Sequence, residues 1–162
     1  MDSGIGSLSF LSSLNELLPD VPLIAFADQA FFPYGEKEEK VIVERILNMA
    51  EQLVGFCEPS TILIACNTAS TIVLPALREK FHMPIVGIVP AIKTAAALTE
   101  SKKIALLATK ATVTRPYIDD LVSSFAGGCD LLKIGSAHLA SIAEEKVLSG
   151  KVSIEAVRDE LD

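Results

Sequence analysis

The sequence predicts an α/β fold built from mainly parallel sheets with flanking helices. Three observations carry that prediction. Short apolar runs (PLIAF, TILIAC, PIVGIV, KIALLAT and LLKIG) are the length of strands rather than helices. Stretches of helical spacing separate them, so the chain reads as successive βα units with a sheet covered on both faces. Half of the 162 residues are hydrophobic, enough for a substantial core.

Each element follows from its local pattern. Leu8, Leu11, Leu14 and Leu18 recur at helical spacing until Pro19 ends the pattern. PLIAF (Pro22 to Phe26) reads as a short buried strand. Phe31, Phe32 and the turn Pro33-Tyr34-Gly35 form a loop with its tyrosine exposed. EKEEK then opens a long helix, with acids in the first turn as the helix dipole prefers. The inner stripe of that helix is Val43, Ile46, Leu47, Ala50, Leu53 and Val54. TILIAC is a strand, and the residues after Thr68 turn helical. Pro75 either breaks that helix or begins a second one at its first position. PIVGIV (Pro84 to Val89) is a strand, AIKTAAAL a helix, KIALLAT (Lys103 to Thr109) a strand, and Thr112 to Phe125 a helix. LLKIG (Leu131 to Gly135) is the last strand, and two helices split near Ser149-Gly150 finish the chain. The join at Pro90 to Lys93 divides the chain into two lobes, residues 1–92 and 93–162.

Charge and cysteine usage exclude several function classes. There are 14 Lys plus Arg against 21 Asp plus Glu, a net charge of −7, which is the wrong sign for a nucleic-acid footprint. No segment is long and apolar enough to span a bilayer, and MDSGIGSLSF has no charged n-region followed by an apolar stretch. Cys57, Cys66 and Cys129 are odd in number, far apart and without a C-x-x-C, so neither a disulfide framework nor a metal site is expected. Reduced thiols in a cytoplasmic protein are the plain reading.

In parallel α/β sheets, ligands sit outside the carboxyl ends of the strands. Cys66 stands there, between a strand and a helix. A helix N-terminus offers free N–H groups and partial positive charge, so the thiol pKa is expected to fall. Asn67 and Thr68 either cap that helix or bind a ligand carboxylate. The alternative is a buried structural cysteine beside an ordinary Asn/Thr cap. A phosphatase loop, C-x5-R, is excluded because the sixth residue after Cys66 is Ile72. DSGIGS (Asp2 to Ser7) is a glycine-rich turn that either binds an anion on its N–H groups or simply caps a helix. Cys57 and Cys129 read as structural, and His82 and His138 as surface or cap residues. The acids of EKEEK and of AEEK (Ala143 to Lys146) read as solvated helix faces.

Taken together and in order, DSG-I-G-x-L, D-x-A-F-x-PYGEK, ACNTAS, PALREKF and PIVGIVPAIK resemble the glutamate racemases of the aspartate/glutamate racemase superfamily. The resemblance implies a two-lobed fold and a cofactor-independent, two-thiol interconversion of L- and D-glutamate that supplies peptidoglycan synthesis. By motif, Cys66 corresponds to the first catalytic cysteine. Asp2, Ser3, Tyr34, Gly35, Asn67 and Thr68 correspond to substrate-binding positions. The branch it resembles also uses a peptidoglycan nucleotide precursor as activator, and Leu106 to Tyr117 lies in the matching region.

Three features depart from the pattern. Only Met1 precedes DSG, where the family has an apolar strand. Ser7 replaces a glycine. The G-C-T-H motif that carries the second cysteine is absent. The expectation is therefore a racemase fold incomplete at both ends, with apolar surface left open and at most slow proton exchange on one enantiomer. A sister racemase acting on aspartate or a hydantoin, and a non-catalytic fragment binding an acidic metabolite or partner, are the competing readings.

Overall fold

Helix α2 (Glu39–Cys57) organises the first half of the chain, and its buried face is a single stripe: Ile42, Ile46 and Ala50, four residues apart. Val43, Leu47 and Val54 flank that stripe as partly buried neighbours. The expected stripe was thus rotated slightly, because it omitted Ile42. The stripe packs on α3 (Asn67–Lys80) and on a two-stranded parallel sheet, β1 (Ile62–Ile64) beside β2 (Ile85–Gly87). In this computed structural model, residues 1–161 are described. Asp162, the end of the expected second lobe, lies outside them. The chain forms two compact units, Met1–Ile88 and Val89–Asp162.

Within the first unit, α3 runs unbroken through Pro75, which corrects both expectations for that proline. The ring lies on the exposed side of the helix, so the lost N–H is not a buried debt. Val73 and Leu77 are fully buried on the opposite side. Gly87 permits the close approach of α3 to β2, since a Cβ there would fall 2.4 Å from Leu74 Cδ1.

PLIAF is not a strand. Only its last residue is tied to a neighbouring backbone: Asp2 N donates to Phe26 O, and Asp28 N donates to Asp2 O, making an isolated parallel bridge between Asp2 and Ala27. On the other side, Met1 N donates to Leu63 O and Ala65 N to Met1 O. Met1 and Asp2 therefore lie between β1 and Phe26–Asp28. A strand exists only where another backbone completes its ladder, and Leu23 and Ile24 are instead exposed. Helix α1 (Leu8–Leu17) likewise buries none of its residues.

The second unit holds α4 (Ile92–Leu98), β3 (Lys103–Thr109), α5 (Lys110–Val113), α6 (Pro116–Phe125), β4 (Asp130–Ser136), α7 (Leu139–Ser149) and α8 (Ile154–Asp159). Strands β3 and β4 pair in parallel from Lys103↔Asp130 to Thr109↔Ser136. Ile92, Ile118 and Ala126 form the core with Ile104, Leu106 and Leu131 against them. The opposite side of the strands leaves Leu107 and Leu132 exposed, so the sheet is not covered on both faces as expected. The single helix read over Thr112 to Phe125 is two. Arg115 is extended (φ −72°, ψ 136°), as a residue before proline prefers, and Pro116 starts α6 at its first position. Gly150 ends α7 in the left-handed region, φ 73°, matching the predicted split.

Glu160, just past α8, closes this unit on itself. Its carboxylate accepts from Ser136 Oγ, from Ala137 N (3.1 Å) and from His138 N (3.2 Å), and meets His138 Nδ1 at 2.5 Å. These contacts, led by the Ser136 hydroxyl and the His138 ring, pull its pKa from 4.5 down to about 2. A depressed acid contributes stability above its unfolded pKa and loses it as pH falls through the folded one. The protection of the α8 amides, measured against the intrinsic exchange rate at each pH, should therefore fall as pH drops from 4.5 towards about 2. Hydrogen exchange followed by mass spectrometry reads this, and Glu160→Gln should flatten the dependence.

Candidate active site

The carboxyl end of β1 delivers Cys66 directly onto the first turn of α3. Cys66 itself is the N-cap: its backbone is extended (φ −78°, ψ 118°) and its sulfur accepts from Ala69 N at 3.5 Å. Asn67 and Thr68 are the first helical residues, so neither is the cap the sequence suggested. Thr68 is buried and Asn67 exposed. Ser70, on the same turn, donates to Ile64 O and accepts from Ile88 N, both at 3.0 Å. That hydroxyl fixes the start of α3 against the exits of β1 and β2.

The N-terminal turn reaches the thiol from the other side. Ser3 Oγ lies 3.9 Å from Cys66 Sγ. Asp2 accepts from Ser3 N at 2.7 Å, and the N–H groups of Gly4 and Ser7 and the Cys66 thiol also act to lower its pKa. The anion that DSGIGS gathers is thus the chain's own Asp2 carboxylate. Gly6 leaves room for it, since a Cβ there would stand 3.0 Å from Asp2 Oδ2.

Burial reverses the expected electrostatics of Cys66. Its thiol pKa is raised, first by desolvation and further by the Asp2 charge, against the opposing pull of the Ala69 and Ser3 hydrogen bonds. The helix N-terminus is present, but it does not win. Asp2 is pushed up too, by burial, although its hydrogen bonds pull the other way. At neutral pH the sulfur therefore rests as a thiol beside a carboxylate that holds protons better than usual.

Tyr34 is buried at 2 % exposure, not presented on a turn as predicted. Its hydroxyl donates to Asp28 Oδ2 at 2.9 Å. Tyr34, Asp2 and Cys66 line one small recess together with Met1, Ile46, Met49, Ile64 and Ala69. Gly35, Asn67 and Thr68 sit beside these residues in the chain but outside that lining. Of the sequence candidates, three therefore converge on the recess, and Ser3 touches the thiol.

Sequence reasoning assigned no role to Asp28 or Arg45. Arg45 Nε and Nη2 reach Asp28 Oδ2 and Oδ1, each at 2.5 Å. The available signal was an arginine set between Ile42 and Ile46 on the buried side of α2. Cys57 donates to Leu53 O within its own helix, Cys129 packs against the core of the second unit, and His82 is exposed. His138 is the N-cap of α7. Among the described residues, no three of His, Cys, Asp and Glu converge as metal ligands would. Nor is any described helix long and apolar enough to cross a membrane.

Comparison with known proteins identifies the family of the chain. The family described as Asp/Glu/Hydantoin racemase matches residues 4–159. The chain is 53% identical over 156 residues to the glutamate racemase of Photorhabdus laumondii, covering 94% of this chain and 53% of that one. It is 47% identical over 160 residues to that of Histophilus somni strain 129Pt, covering 99% and 60%. Among solved structures, Escherichia coli glutamate racemase in complex with L-glutamate and the activator UDP-MurNAc-ala superposes with a TM-score of 0.93 at 45% identity, over 99% of this chain and 60% of that one. The Aquifex pyrophilus glutamate racemase gives 0.77 at 29% identity, over 98% and 62%. The chain thus spans about 60% of the length of the Histophilus relative and of the Escherichia coli structure. With its match running from residue 4 to residue 159, the chain belongs to the Asp/Glu/Hydantoin racemase family.

Proposed function

We propose that this chain carries one proton-transfer face of a glutamate racemase, with Cys66 as the group that removes and returns the Cα proton. The observation that supports this best is the pairing of the Cys66 thiol with the buried Asp2 carboxylate in one recess at the carboxyl end of β1. A raised carboxyl is a better base than an ordinary one, so Asp2 takes the thiol proton. The α-ammonium of an amino acid brings a positive charge, which favours the thiolate over the thiol. The thiolate then accepts hydrogen from Cα, forming S–H, and the electron pair stays on the substrate carbon. Returning a proton from the same sulfur restores the original enantiomer. Inversion requires a donor on the opposite face.

Asn67 and Thr68 are assigned to holding the amino-acid end of the substrate, Asp2, Ser3, Tyr34 and Gly35 to further contact with it, and no cofactor is assigned. Identity of about 50% to glutamate racemases supports glutamate over aspartate or a hydantoin. The likeness to the Escherichia coli complex supports a peptidoglycan nucleotide precursor as activator, read near Leu106 to Tyr117. Three free thiols suit a reducing cytoplasm.

Deuterium wash-in tests the assignment. With the purified chain in D2O, one enantiomer of glutamate should gain Cα deuterium without inverting, and aspartate should gain none. Rapid interconversion of L- and D-glutamate would contradict the one-face reading. Absence of label in both enantiomers would contradict the assignment to this reaction.

A further inference from the structure

Asp28, Arg45, Phe31 and Tyr34 close a ring of contacts behind the recess. Asp28 is buried and takes both nitrogens of the Arg45 fork, one on each oxygen, while Oδ2 also accepts the Tyr34 hydroxyl. The Arg45 guanidinium lies over the Phe31 ring, 4.7 Å from its centre. Phe31 meets Tyr34 edge-on, with ring centres 6.4 Å apart. Asp28 N donates to Asp2 O, so the same residue is tied to the segment that carries the recess carboxylate.

This arrangement asks for a reason beyond stability. Asp28 is buried but about a third of the Arg45 side chain is exposed, and an ion pair with one partner in solvent adds little stability. A hydrophobic contact would hold the ring more cheaply. What the fork adds is geometry: a bidentate guanidinium fixes a carboxylate in one plane, and that carboxylate fixes the phenol O–H. With its proton committed to Asp28, the Tyr34 oxygen retains acceptor capacity alone.

We propose that Asp28 and Arg45 are positioning residues of the recess: their fork locks Tyr34 as a rigid, acceptor-only wall beside Cys66 and so governs both ligand fit and access to the sulfur. The link to ligand fit rests on the racemase reading above, and the access to sulfur does not. Neither residue is assigned contact with the substrate.

Three readouts on the full chain test this. The first is near-ultraviolet circular dichroism, which is free of tryptophan here and contains two tyrosines. The second is the alkylation rate of Cys66 by iodoacetamide, read by peptide mapping. The third is the KM and kcat of Cα exchange with glutamate. Arg45→Lys keeps the charge but loses the fork. It should weaken the tyrosine band, speed Cys66 alkylation about tenfold, and raise KM about tenfold with kcat within about twofold, the scale of one lost hydrogen bond to a charged group. Tyr34→Phe, which removes only a hydroxyl, should reproduce the alkylation and KM changes, and adding Arg45→Lys to it should change little more.

A merely structural pair would lower the melting temperature and leave the tyrosine band, alkylation rate and KM in place. That result overturns the proposal, as does full retention of wild-type behaviour by Arg45→Lys. If the wild-type chain exchanges no label from glutamate, the racemase reading fails while the band and the alkylation rate still decide on the latch. Should Asp28 or Arg45 variants fail to fold, Tyr34→Phe alone decides: unchanged alkylation of Cys66 overturns the proposal.

Discussion

Cys66→Ser should reduce Cα exchange by about a thousandfold, the scale of losing a positioned general base. The substitution keeps the cap geometry, since a serine hydroxyl also accepts from Ala69 N at a helix start. What it removes is a group that can ionise in this setting. The raised thiol of Cys66 still lies within reach of a carboxylate base and a substrate cation, whereas a serine hydroxyl does not. The fold should persist, with the same helix content. Isotope-ratio mass spectrometry of recovered glutamate provides the check, and retained exchange in a folded Cys66→Ser protein would contradict the role of the thiol.

Asp2→Asn should move two observables in opposite directions. The Asp2 charge helps hold the Cys66 pKa up, so removing it makes the thiolate easier to form. Alkylation of Cys66 at neutral pH should therefore become faster. Exchange should nevertheless fall about a hundredfold, because the amide cannot take the thiol proton. A variant more reactive towards iodoacetamide yet poorer in exchange separates the charge of Asp2 from its basicity. If both rates rose together, Asp2 would be an electrostatic burden and not a base.

Much of this was legible locally. KIALLAT is β3 over the same residues, because strand length and apolar character are properties of the segment itself. Cys66 at the β1–α3 junction could likewise be placed from a strand that ends where a helix starts. The misses share a different cause. PLIAF has the composition of a strand, but a strand also needs a partner backbone, and the bridge at Asp2 and Ala27 is all that forms there. Tyr34 read as exposed because its turn is local, while the Asp28 that takes its proton and the Arg45 that holds Asp28 come from other elements. The sign of the Cys66 shift failed for the same reason. The helix N-terminus can be read from sequence, whereas desolvation depends on how the N-terminal turn and α2 close over the sulfur.

The family pattern adds positions that local reasoning weighs poorly. Asp2 and Ser3 look like an ordinary turn, and their value comes from meeting Cys66 across 63 residues of sequence. Gly35, Asn67 and Thr68 are adjacent to the lining and outside it, so their assignment comes from the resemblance and not from the geometry.

The most direct measurement combines alkylation with isotope exchange on one protein sample. The chain is treated with iodoacetamide to graded extents, each cysteine is quantified by peptide mapping, and Cα deuteration of glutamate is measured on the same aliquots. Exchange should fall in proportion to modification at Cys66 and be indifferent to modification at Cys57 and Cys129. Label incorporation that continues undiminished after Cys66 is fully blocked would contradict the account.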